Sequence, residues 1–104
     1  MNSHWFHMLL ALADGDRHGS AIMQAVLKET QGAIRLWPAM LYRNLDRLVD
    51  EGYIIELPRR QTSMAGSPRF FRLTPAGRRA CASEAMRLAG IVRTARAKRL
   101  LGKG

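Results

Sequence analysis

The sequence has a single cysteine, Cys81, so no disulfide can close within the chain. It lacks any run of about 20 apolar residues, and the apolar stretch from Trp5 to Ala13 is too short to cross a bilayer. No charged-then-apolar leader is seen either, and together these absences set the expectation of a soluble, cytoplasmic chain without membrane contact. There is no Gly-rich phosphate loop, no nucleophile elbow and no paired-carboxylate motif, so neither an enzyme nor a bound cofactor is expected. His4 and His7 are three residues apart, but one cysteine and no further histidine nearby make no metal ligand set.

Acidic residues are scarce in one part of the chain. Residues 1–57 hold five Lys/Arg against seven Asp/Glu, whereas residues 58–104 hold twelve against Glu84 alone, within a formal net charge of +9. A field so one-ended draws polyanions, because each phosphate neutralised by Lys or Arg releases a condensed counterion. Solubility or attraction to an acidic membrane surface would need no more than the same charge. At 104 residues and 47% hydrophobic content the chain can build one small core, to which a second copy would add burial.

Helical spacing of Phe6, Leu9, Leu10 and Ala13 predicts a first helix over Ser3 to Ala13, ended by Asp14-Gly15-Asp16. A second helix is expected from His18-Gly19 to Thr30 or Gln31, with Ile22, Met23, Val26 and Leu27 inward and Gly32 as its stop. Pro38 suits the first position of a third helix, whose core face is Leu41, Leu45, Leu48 and Val49. After Gly52, Tyr53 to Leu57 and Arg69 to Leu73 have the β-branched and aromatic content of two strands around a basic hairpin. Thr74 and Pro75 then open a fourth helix that meets no breaker before Arg99 or Leu100. The expected fold is mainly α with a small two-stranded β wing, a winged helix-turn-helix over 1–73 followed by a C-terminal dimerisation helix and basic tail over 74–104.

Four stretches in register resemble the PadR family of bacterial transcriptional regulators: residues 8–13, His18-Gly19, residues 34–45 and residues 69–77. The resemblance implies a winged helix-turn-helix homodimer that binds double-stranded DNA and represses promoters, often until a small molecule relieves it. Its short members carry one C-terminal dimerisation helix, which this length suits. The sequence departs from the family at Trp37, where a small hydroxylated residue is usual, at Ala39-Met40, where a Gly-Thr pair is usual, and at Ser20, which replaces an aromatic after His-Gly. Loss of the hydroxyl before Pro38 removes an N-cap and a phosphate or base contact.

Burying Leu41, Leu45 and Leu48 turns Ala39, Tyr42, Arg43, Asp46 and Arg47 toward other surroundings, and a major groove is wide enough to accept that face. The DNA-facing candidates are Ser20, Pro38, Ala39, Met40, Tyr42, Arg43 and Arg47, with Arg59, Arg60 and Arg69 of the wing. Arg43 can fork onto guanine or hold phosphate; Tyr42 can reach the DNA backbone or pack at the helix edge; Met40 can touch a thymine methyl or lie half-buried. The wing arginines can track phosphate or remain solvated. Cys81, Ala85, Leu88, Val92 and Ala95 recur at intervals of four and three, a seam for pairing with a second copy or for packing on the helix's own domain. Trp5, Phe6, Met86 and Leu88 are candidate walls of a pocket for an apolar or aromatic effector, against plain interface packing. Asp14 and Asp16 are expected to supply helix-starting oxygens, His18 to cap or pack at the second helix, and Cys81 to be a small buried hydrophobe. A nucleoid or RNA-binding protein without sequence preference, and a winged helix that binds protein, are the competing functions.

Overall fold

The computed structural model describes residues 1–58 and 68–102. Helix α1 spans Ser3–Ala11, strand β1 Arg17–His18, α2 Gly19–Glu29, α3 Pro38–Asp50, β2 Ile54–Glu56, β3 Phe70–Leu73 and α4 Pro75–Ala97. The four helices stand where the spacing of apolar residues puts them, and each is shorter than its expected span at the C-terminal end or matches it. Asn2 caps α1 by accepting the Trp5 backbone N–H, and Thr74 Oγ1 caps α4 by accepting that of Gly77 at 3.0 Å. The Thr74 hydroxyl also donates to the Gly52 carbonyl at 2.6 Å, tying the start of α4 to the end of the α3 turn.

Among the described residues the sheet has three strands in the order β1-β3-β2, one more than the two expected. In the antiparallel pairing of β1 with β3, Arg17 lies opposite Phe71 and His18 opposite Phe70. Two residues are too few to show a period of two, and their extended form comes from the partner strand. His18 then leaves the strand as the N-cap of α2, its Nδ1 accepting the Ala21 N–H at 3.1 Å, while its ring meets that of Phe70 edge-on at 5.5 Å. The expected helix-starting role of Asp14 and Asp16 is thus taken by His18. Asp16 instead binds Arg72 through two bonds of 2.9 and 3.0 Å, and Asp14 lies 3.5 Å from Arg17.

The core gathers Met8, Leu9 and Leu12 of the first helical segment, Ile22 and Val26 of α2, Leu36, the α3 leucines Leu41, Leu45 and Leu48, and Ile54 and Phe71 of the sheet. At about 25 cal/mol per Å² this apolar burial is the main force holding α3 at a fixed angle to the rest. Helix α4 joins the core through its first half, where Gly77, Cys81 and Glu84 are buried and Leu88 packs against the core. Gly77 lies so close to the Tyr53 carbonyl that no Cβ fits between them. At 1.5 Å per residue its 23 residues run about 35 Å, and beyond Glu84 most of them face solvent.

Candidate nucleic-acid interface

Helix α3 presents two faces of different chemistry. Leu41, Leu45 and Leu48 are sealed in the core, and Ala39, Arg43, Asp46, Arg47 and Asp50 are exposed on the opposite side. Arg43 and Arg47 are four residues apart on this outer face, and among the described residues neither has an ion-pair partner. Like charges at this spacing oppose a helix by about 0.2–0.5 kcal/mol, so the pair makes sense in front of an anion. With Asn2, His4, Met40 and Asn44 they line an open cleft of about 310 Å³ between the start of α1 and α3.

Two braces fix this face. Trp5 Nε1 donates to Asn44 Oδ1 at 2.9 Å, and Asn44 Nδ2 donates to the Met40 carbonyl at 2.8 Å, so α1 grips α3 from one side. On the other side Arg69 of the wing forks onto Glu56 at 2.8 and 3.0 Å and reaches Asp46 at 3.0 Å. Its guanidinium also lies 5.4 Å from the ring centroids of both Tyr42 and Phe71. The hydrogen bonds from Glu56 and then Asp46 push the Arg69 pKa further up, so its charge is permanent and already matched. Sequence spacing gives no sign of these braces, because the partners lie 39, 13 and 23 residues apart.

The other candidates fall into three groups. Ser20, Pro38 and Ala39 are exposed, Met40 and Tyr42 are half-buried, and Arg59 and Arg60 lie outside the described residues. Tyr42 packs over Gly19, where an added Cβ would stand 2.6 Å from the phenol oxygen, which is why the residue after His18 carries no side chain. Trp37 takes the N-cap position of α3 without a side-chain hydrogen bond and is 62% exposed. With Pro38 next to it, the N–H groups of Ala39 and Met40 are left for solvent or phosphate.

Along α4, Cys81 is buried and Leu88 packs on the core, while Ala85 and Val92 are exposed and Ala95 is half-buried. Burial raises the Cys81 pKa, against the opposing pull of Arg78. The four candidate effector-pocket residues are not brought together within one chain. Trp5 is turned to Asn44 and Tyr53, Phe6 is buried in the core, and Met86, two positions before the inward Leu88, is on the far side of the helix and 75% exposed. Arg17 and Arg78 instead close the end of α1, donating to the Ala11 carbonyl at 2.8 Å and the Ala13 carbonyl at 2.9 Å.

The family model of the PadR-like transcriptional regulators matches residues 8–83, a span that contains α2, α3, the whole sheet and the first turns of α4. The chain belongs to the PadR-like family. It is therefore a transcriptional regulator and not an enzyme. Similar folds include a PadR family transcription regulator of Clostridium difficile, with 17% identity, a TM-score of 0.77, and coverage of 97% of this chain and 100% of that one. A transcriptional regulator of Clostridium thermocellum has 19% identity and a TM-score of 0.74, covering 93% of this chain and 96% of that one. Bacillus subtilis PadR, solved with operator DNA, has 20% identity and a TM-score of 0.70 over 81% of this chain and 47% of its own. No curated protein matches the sequence. Among the described residues, no helix of this PadR-like chain is long and apolar enough to cross a membrane.

Proposed function

We propose that this PadR-like regulator is a homodimeric repressor that reads a specific duplex site with the outer face of α3 and is released from it by a small apolar or aromatic effector. The single observation that carries the DNA reading is the Arg43–Arg47 pair, exposed and without an ion-pair partner among the described residues, on a helix braced from both sides, beside a wing whose own Arg69 is used as the brace. In a helix-turn-helix the leading residues of the second helix meet base edges, which assigns Ala39, Met40 and Arg43 to bases and Arg47 to phosphate. Tyr42, wedged between Gly19 and Arg69, is a support for this face.

Pairing is supported by the uncovered length of α4, where Ile91 is 52% and Val92 42% exposed. Two such helices side by side would bury these groups and set two α3 helices against one duplex. Relief by an effector is proposed at the junction of α1 and α4, the elements that carry Trp5, Phe6, Met86 and Leu88. The test is fluorescence anisotropy on duplexes from the regulator's own genomic neighbourhood across a range of salt. Replacing Arg43 and Arg47 by Ala is expected to weaken binding, and the loss of the Arg47 phosphate contact to lower the salt slope by about 0.9. An unchanged slope removes α3 from the interface, and equal binding to unrelated duplex or single-stranded RNA favours the non-specific alternative.

A further inference from the structure

The largest apolar side chain at the leading end of α3 is Trp37. Trp37 is 62% exposed, although aromatic residues are on average well buried, and it is distant along the chain from the exposed apolar groups of α4. Its indole is not loose: the Arg35 guanidinium lies 5.7 Å from the ring centroid, a stacking that holds one face and leaves the other open. The backbone at Trp37 is extended, φ −75° and ψ 150°, and Pro38 fixes the next residue at the head of the helix. The ring is thus held at the tip that a reading helix carries into the groove.

What that tip can recognise follows from its atoms. From Trp37 through Pro38 and Ala39 to Met40, the only side-chain hydrogen-bond donor is the indole N–H and the only acceptor the weak Met40 thioether, so these residues cannot fork onto guanine or adenine. The one major-groove feature that an apolar side chain distinguishes is the 5-methyl group of thymine. We infer that Trp37 reads a thymine methyl at the leading end of α3, with Arg35 stacked behind it to hold the ring in place and to face the neighbouring phosphate. This inference rests on the DNA-reading role of α3 proposed above. It makes Trp37 a specificity-determining residue, so that its difference from a small hydroxylated residue changes the base preferred and does more than delete an interaction.

The experiment begins with the full chain and a pool of duplexes randomised over about 20 base pairs, two turns of DNA, from which the tightest-binding sequence is selected. Each thymine in that sequence is then replaced in turn by uracil, which pairs identically and lacks only the methyl group. At one thymine position per half-site the wild-type chain should lose about fourfold in affinity, the value of one buried methyl group. Trp37→Ser should bind the thymine and uracil forms alike at that position, and Trp37→Phe should keep the discrimination. The inference is overturned if the wild type is indifferent to uracil at every position, or if Trp37→Ser retains the same thymine dependence. Should Trp37→Ser fail to fold, Trp37→Ala takes its place with the same two outcomes, since it too removes the ring and leaves Met40 unchanged. Failure of the DNA-reading role itself would look different, since no duplex would be enriched from the pool at any salt concentration.

Discussion

Arg69 offers the sharpest test of how the outer face of α3 is held. Arg69→Ala removes a forked pair with Glu56, a bond to Asp46 and contacts with two aromatic rings, all from a side chain 27% exposed. The ion pairs lie at the surface and together contribute about 1 kcal/mol; the ring contacts add about 0.5 kcal/mol each at such exposure. The sum is about 2 kcal/mol, which for a domain of this size lowers Tm by about 10 °C. Circular dichroism during thermal unfolding measures it, and Arg69→Lys, which keeps charge without the fork, should fall between. The decisive companion measurement is the salt slope of DNA binding. Because Arg69 is already matched by two carboxylates, its removal should weaken binding by loosening α3 while leaving the slope unchanged. A Tm shift below about 2 °C, or a slope reduced by as much as one neutralised phosphate contributes, would refute the brace and return Arg69 to the direct DNA contacts.

Other outcomes follow from neighbouring features. Gly19→Ala places a Cβ against the Tyr42 hydroxyl and should destabilise by about 1–3 kcal/mol, seen as a lower urea midpoint at constant m-value. Hydrogen bonds from Arg87, opposed by burial and aided by the Arg87 charge and the N-terminal ammonium, hold the Glu84 carboxyl below its ordinary pKa of 4.5. A depressed folded-state pKa stabilises above the ordinary value and is lost as pH falls through the folded one, so Glu84→Gln should flatten the decline of Tm below about pH 4.5. The Cys81 thiol, buried and with a raised pKa, should react with a maleimide at neutral pH far more slowly in the native chain than in urea; equal rates would place it at the surface.

The helices are legible in the sequence because their signals are local. Pro38, Thr74-Pro75 and the leucines of α3 lie within a turn or two of the structure they specify, and His18 as cap needs only Ala21, three residues on. The third strand is not, since Arg17 and His18 become a strand only by meeting Phe71 and Phe70 more than 50 residues later. The candidate face of α3 is visible in outline from the burial of Leu41, Leu45 and Leu48. The roles within it are not: by sequence Arg69 is one more wing cation, and Trp5 a pocket wall. Their carboxylate and amide partners are on other elements, and no periodicity connects them. The basic excess after residue 57 is also only half the story, because Arg69, Arg72 and Arg87 are matched by Asp46, Glu56, Asp16 and Glu84.

The engagement of Asp46 by Arg69 limits how this regulator can be retargeted. Asp46 stands on the outward side of α3 among residues that a library for new operators would diversify, yet any change there also releases the wing. A productive library would hold Asp46 constant and vary Trp37, Ala39, Met40 and Arg43, so the recognition alphabet open to directed evolution, or to natural divergence, has four letters' worth of freedom on this helix and its cap.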